Sequence, residues 1–229
     1  MRAPIVLAID TTDVAQAGAW VNATSESISV MKLGLEFYLA HGAAGVTEVR
    51  KHGKELKLFL DLKLHDIPNT VAGAVRSVAH LQPDFLTVHA AGGAAMIEAA
   101  AAALPSGSIT AVTLLTSLSE EEVSHLGISG NSQEIVLRWA IRAIDAGATS
   151  IVASPHEVKA LREALPSHIT LITPGVRPAG AAQGDQSRVA TPAQAIEWGA
   201  DYVVIGRPIT SGATLQQVAH NARAIAAAL

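Results

Sequence analysis

Short apolar runs alternate with longer amphipathic stretches along the whole chain. The runs at 5–10, 28–34, 56–63, 85–89, 109–115, 150–153, 169–173 and 202–206 are rich in Val, Ile and Leu and have the length of buried strands. The stretches at 14–23, 36–53, 70–81, 94–104, 133–146, 155–164, 192–198 and 214–227 read as helices. Eight strand–helix units in 229 residues predict an α/β fold, a (β/α)8 TIM barrel spanning residues 1–229 as one domain. A doubly wound sheet is the structural alternative, because a strand count alone does not separate the two. Gly147 and Gly199 stand just past helical patterns and Gly107 in a turn, where stop signals belong. The alanine run 99–103 reads as a helix packed closely on the barrel. Trp20, Trp139 and Trp198 fall in helical patterns and are assigned to the core.

Polar residues fall at the C-terminal ends of these strands. Strand one ends in Asp10 and strand two carries Lys32. Strand three carries Asp61 and Lys63, followed by Asp66. Strand four ends in His89, and strand five leads to Thr116 and Ser117. Strand seven leads to Pro174-Gly175-Val176-Arg177-Pro178, and strand eight to Gly206-Arg207-Pro208. In barrels of this kind that rim holds the catalytic groups. In the third strand, Asp61 and Lys63 share a face with Phe59, while Leu58, Leu60, Leu62 and Leu64 share the other. Inward charges on a buried strand are costly unless they pair or serve chemistry.

The seventh and eighth loops suit a phosphate. Glycine turns let backbone N–H groups approach an anion, and a guanidinium grips its oxygens in pairs. The stretch 177–188, with Gly180, Gly184 and Gln186, is long for a strand-to-helix connection and reads as a lid that closes on phosphate.

Composition narrows the chemistry. Hydrophobic residues make up 49% and aromatics 3%, so the core is aliphatic. The net charge of -4 gives no footprint for a nucleic-acid partner. There is no cysteine, which excludes disulfides, thiolate catalysis and Cys-ligated metals. The apolar part of the N-terminus is too short for a signal peptide. No apolar run approaches the ~20 residues of a spanning helix. These features predict a soluble cytoplasmic protein with no membrane partner.

In this order and spacing, the run Asp61-Leu62-Lys63-Leu64-His65-Asp66-Ile67-Pro68-Asn69-Thr70, the turn Leu115-Thr116-Ser117, Pro174-Gly175-Val176-Arg177-Pro178 and Ile205-Gly206-Arg207-Pro208 resemble the orotidine 5′-phosphate decarboxylase family. The resemblance spans nearly the whole chain, from Leu7-Ala8-Ile9-Asp10 to Arg207. Val176 and Leu64 stand where the family often has Ile and Phe, both mild apolar changes. The resemblance implies decarboxylation of orotidine 5′-phosphate to uridine 5′-phosphate in pyrimidine synthesis, with no cofactor and no metal. It implies a charged network of Lys32, Asp61, Lys63 and Asp66. Within it, Lys63 protonates C6 and Asp61 lies beside the departing CO₂. It further implies ribose contacts from Asp10 and Lys32, a pyrimidine contact from Thr116, and a phosphate grip of Arg177, Gln186, Gly206 and Arg207. Asp66 and Thr70 match residues that reach a neighbouring subunit's site, which implies a homodimer.

Two other readings stay open at this level. Related sugar-phosphate barrels of the 3-keto-gulonate-6-phosphate decarboxylase and hexulose-phosphate synthase type share the D-x-K-x-x-D pattern but use Mg²⁺. A metal favours an acidic residue at strand two, where this chain has Lys32. His65, His89 and Asp61 are conceivable ligands, but His65 lies in a family motif that binds no metal. A non-catalytic phosphate binder on a degenerate barrel is the third reading, and the intact charged set argues against it.

Overall fold

In the computed structural model, which describes residues 2–177 and 190–229, eight parallel strands close into a barrel. They are β1 (Ile5–Ile9), β2 (Val30–Gly34), β3 (Lys57–Leu64), β4 (Phe85–His89), β5 (Ser108–Val112), β6 (Ser150–Val152), β7 (Thr170–Thr173) and β8 (Tyr202–Ile205). Each pairs with the next, and β8 returns to β1 through Val203 opposite Ile5. Closure removes the doubly wound alternative, since no strand is left as an edge.

The helices are α1 (Val14–Thr24), α2 (Leu35–Arg50), α3 (Pro68–Ala79), α4 (Ala94–Ala103), α5 (Glu120–His125), α6 (Ser132–Asp145), α7 (Pro155–Ala164), α8 (Pro192–Glu197), α9 (Arg207–Thr210) and α10 (Leu215–Ala226). Side-chain caps start several of them. Asp13 accepts from the Gln16 N–H, and Asn131 and Thr191 form capping boxes with Glu134 and Gln194. Gly147 and Gly199 follow α6 and α8 as the stop signals predict. The stretch read as one helix at 36–53 is broken at Gly42 (φ 57, ψ -154), a backbone geometry open essentially to glycine alone.

Three differences from the sequence reading have local causes. Strand five ends at Val112 rather than at 115, because the chain beyond Thr113 leaves the ladder. Thr113 keeps only contacts to the Val152 carbonyl, from its N–H at 3.4 Å and its hydroxyl at 3.1 Å. The short helices α5 and α9 and a 3-10 turn at Ala90–Gly92 lie in stretches read as loops. Trp20 and Trp198 pack against the core, but Trp139 is half-buried along a groove with Ala90, Ala91, Gly93 and Arg142.

The core has two layers. Val6, Val30, Phe59, Phe85 and Ile172 fill the lower barrel interior, with Val152, Tyr202 and Val204 against them. Phe85 stands edge-on to Phe59 at 5.7 Å and to Tyr202 at 5.8 Å between ring centroids. A larger layer between strands and helices takes the outward-facing residues, such as Leu7, Leu58, Leu60 and Leu86. Among the described residues, no helix is long and apolar enough to cross a membrane.

Candidate active site

The inward residues of each strand stack in layers, and the polar layer sits directly above the aromatic floor. A cavity of about 310 Å³ opens there. Its lower wall is Phe59 with Ala8, Val112, Val152 and Val204, whose short side chains leave the space above them open. Its charged lining is Asp10, Lys32, Asp61, Lys63, Arg177 and Arg207, with Thr116, Gly175 and Gly206 beside them. Predicted residues from the ends of six different strands therefore meet in one chamber.

Four of them form a line of alternating charge. The Lys32 ammonium lies 3.8 Å from Asp10 Oδ1 and 3.2 Å from Asp61 Oδ2. The Lys63 ammonium donates to Asp61 Oδ1 at 2.7 Å. Asp61 and Lys32 are nearly buried, at 12% and 11% side-chain exposure, while Lys63 keeps 30% and Asp10 67%. Lys63 thus reaches furthest into the open cavity of the two ammoniums. Burial alone would raise the Asp61 carboxyl above its ordinary value, but Lys32 and Lys63 together outweigh that and hold it below. Asp61 stays ionised, and two Lys with two Asp leave the line formally neutral.

The third strand does not follow simple alternation here. From Leu60 to Leu64 it runs opposite only Leu86 to Val88, so β3 bulges against β4. Lys63 takes a left-handed backbone (φ 46), which a lysine rarely adopts. The alternation rule still put Asp61 and Lys63 in the same chamber, but the bulge aims the ammonium.

The side of the cavity expected to take a phosphate carries the Arg177 and Arg207 guanidinium groups beside Gly175 and Gly206. Gly206 precedes α9, and a Cβ there would stand 3.3 Å from the Ala8 Cβ, a tight contact that a glycine avoids where this backbone lines the cavity. Arg177 donates from its N–H to the Ala190 carbonyl at 2.9 Å, and Val176 bridges Ala190 in parallel fashion. Gln186, with Gly180 and Gly184, lies outside the described residues.

Asp66 and Thr70 do not join the chamber of their own chain. Both are exposed, and Asp66 accepts from the Ile67 N–H at 2.6 Å. Next to them Ile67 is 66% exposed.

His65 and His89 stand at the ends of β3 and β4 with ring centroids 5.4 Å apart. Burial lowers the His89 pKa, the positive charges of His65 and Lys63 lower it further, and Asp61 partly opposes them. The unfolded chain then takes up this proton first as pH falls. Stability contributed by neutral His89 is complete above about pH 6.5 and is lost as pH drops through the folded value. Urea denaturation at pH 7.5 and 5.5 is expected to show a smaller loss of midpoint for His89→Asn than for the parent. Equal losses would refute the assignment.

Sequence reasoning missed Thr87. It is fully buried on β4, accepts from the Lys63 N–H at 2.8 Å and donates to Asp61 Oδ1 at 3.1 Å. Its signal was present, since Thr87 alternates with Phe85 and His89 on the inward face, but a threonine in an apolar strand looks like ordinary strand filling.

Comparison with known proteins points the same way. The family model described as Orotidine 5′-phosphate decarboxylase / HUMPS family matches residues 3–222. A Thermobifida fusca protein named orotidine 5′-phosphate decarboxylase is 56% identical over 210 residues, covering 92% of this chain and 90% of its own. A Frankia casuarinae protein of the same name is 49% identical over 244 residues, covering 100% and 88%. The crystal structure of orotidine 5′-phosphate decarboxylase from Lactobacillus acidophilus superposes with a TM-score of 0.82 at 31% identity, covering 97% of this chain and 98% of that one.

Proposed function

The chain belongs to the orotidine 5′-phosphate decarboxylase / HUMPS family, and on that premise we propose that it converts orotidine 5′-phosphate to uridine 5′-phosphate and CO₂ without metal or organic cofactor. The observation that carries this reading is the Asp10–Lys32–Asp61–Lys63 line in one cavity with Arg177 and Arg207. Loss of CO₂ breaks the bond from C6 to the carboxylate carbon and leaves its electron pair on C6. That pair lies in the ring plane, where the ring π-system cannot spread it. A fixed ammonium stabilises the developing charge and then supplies the proton to C6. We assign that role to Lys63, which solvent reprotonates afterwards. A lysine suits it as a compact cation that stays protonated near neutral pH.

Asp61 keeps Lys63 charged and oriented, and lies where the departing carboxylate would be. Asp10 and Lys32 take the ribose hydroxyls, and Thr116 contacts the pyrimidine. Arg177, Arg207 and the Gly206 backbone hold the phosphate. Lys32 also speaks against a Mg²⁺ mechanism, because its ammonium 3.2 Å from Asp61 would repel a dication at that carboxylate.

The exposed Asp66, Ile67 and Thr70 support a homodimer in which this segment completes the partner's site. A phosphorylated nucleotide is retained by membranes, so we place the protein in the cytoplasm. Recovery in the membrane fraction of lysed cells would contradict that placement.

The deciding experiment is the ultraviolet absorbance change on mixing the protein with orotidine 5′-phosphate in EDTA. Conversion to uridine 5′-phosphate is expected. Activity appearing only with Mg²⁺ would overturn the metal-free mechanism, and no conversion in either condition would overturn the substrate.

A further inference from the structure

We propose that Thr87 is a positioning residue for the reaction, its hydroxyl holding the bulged Lys63 backbone and the Asp61 carboxylate in the arrangement that aims both into the cavity. This rests on the reading of Lys63 as proton donor. Three observations meet at this one hydroxyl. The bulge takes Lys63 out of regular pairing with β4, in which its N–H would meet a ladder carbonyl. The hydroxyl of Thr87 replaces that partner, accepting the N–H at 2.8 Å. Lys63 also sits in the left-handed region, which persists only where neighbouring structure holds it.

The hydrogen-bond directions follow from the donor inventory. A backbone N–H can only donate, so the Thr87 oxygen accepts there. An ionised carboxylate can only accept, so the single Thr87 proton goes to Asp61 Oδ1, 3.1 Å away. The same Oδ1 accepts from the Lys63 ammonium at 2.7 Å. A closed ring results, from Lys63 N–H through Thr87 and Asp61 back to Lys63 Nζ. It ties the backbone of the proton donor to the carboxylate that orients its side chain. Thr87 itself has no exposed surface and does not line the cavity, so it acts through these two residues and not on substrate.

Thr87→Val tests this. Valine keeps the β-branched shape in a buried strand and removes both hydrogen bonds. The expected result is a fall in kcat of about 10- to 100-fold, the scale on which small displacements of reacting groups are felt. KM and uridine 5′-phosphate affinity are expected to stay within about threefold, because the phosphate and ribose contacts are untouched. The acid limb of the kcat profile should move to higher pH, since Asp61 loses a donor. Thr87→Ser, which restores the hydroxyl, should recover most of kcat. A valine variant with parental kcat, or a serine variant as impaired as valine, would overturn the proposal. Should the valine variant fail to fold, Thr87→Ala against Thr87→Ser decides by the same criterion: equal kcat overturns it. Lys63→Ala, assayed alongside, separates the two levels. If that variant is inactive while Thr87→Val is fully active, only the role of Thr87 fails. If Lys63→Ala turns over normally, the proton-donor reading itself fails.

Discussion

Lys63→Ala is expected to lower kcat by at least about 10⁴-fold while the protein still folds and binds uridine 5′-phosphate. The size follows from two losses at one atom. On the proposed mechanism the ammonium both stabilises the charge forming on C6 and delivers the proton, and among the described residues no other cation stands at that point of the cavity. Lys32 is the nearest alternative, but it lies between Asp10 and Asp61 and is more deeply buried than Lys63. The fold should survive because Lys63 keeps 30% exposure and Asp61 retains Lys32 at 3.2 Å. Lys63→Arg should be almost as inactive, since a guanidinium retains charge but releases its proton far less readily. Steady-state decarboxylation with isothermal binding of the product gives both readouts. Turnover in either variant within tenfold of the parent would remove Lys63 from the mechanism. The same variant tests the shared site: mixed with Asp66→Ala and allowed to exchange subunits, it should regain part of the parental activity through one site that carries neither substitution. No recovery after proven exchange would end the case for Asp66 acting across the interface.

The barrel was legible because parallel strands buried on both faces are written as uninterrupted Val, Ile and Leu runs, and eight such runs are hard to mistake. The site was legible for a related reason. A chain that buries almost only aliphatic residues makes each charge at a strand end conspicuous, and Asp10, Lys32, Asp61 and Lys63 all meet in one cavity. What escaped depends on backbone detail rather than on residue type. The left-handed turn at Lys63 has no sequence mark, because glycine is the usual sign of such a geometry and a lysine stands there instead. Thr87 escaped because its hydrogen bond from the Lys63 N–H exists only once that turn is made. Helix α5 escaped although Ser119 and Glu122 form a capping box over its first turn, a signal that a polar stretch of glutamates obscured. The serine and threonine hydroxyls of the barrel base were equally silent. Ser108, Thr110 and Ser150 satisfy one another at 2.6 to 2.7 Å, a relay that only strand register brings together.

Arg207→Ala is expected to reduce kcat/KM for orotidine 5′-phosphate by about 10²-fold, while turnover of the phosphate-free nucleoside changes little. The phosphate lies away from the carbon that reacts, so its contacts matter for rate only if their binding energy is realised in the transition state. Geometry allows that here. Arg207 opens α9 immediately after Gly206, whose backbone stands against Ala8 and Asp10 on the same cavity wall as the charged line. On the proposed assignment, anchoring the phosphate at this end fixes the ribose at Asp10 and Lys32, and through it the distance from C6 to Lys63. A substrate without phosphate never gains that registration, so removing Arg207 has nothing further to take from it. The comparison of kcat/KM for the two substrates in parent and variant isolates the effect from any general damage, which would lower both. A parental ratio in Arg207→Ala would show that the phosphate is held elsewhere, with Arg177 as the first residue to substitute next.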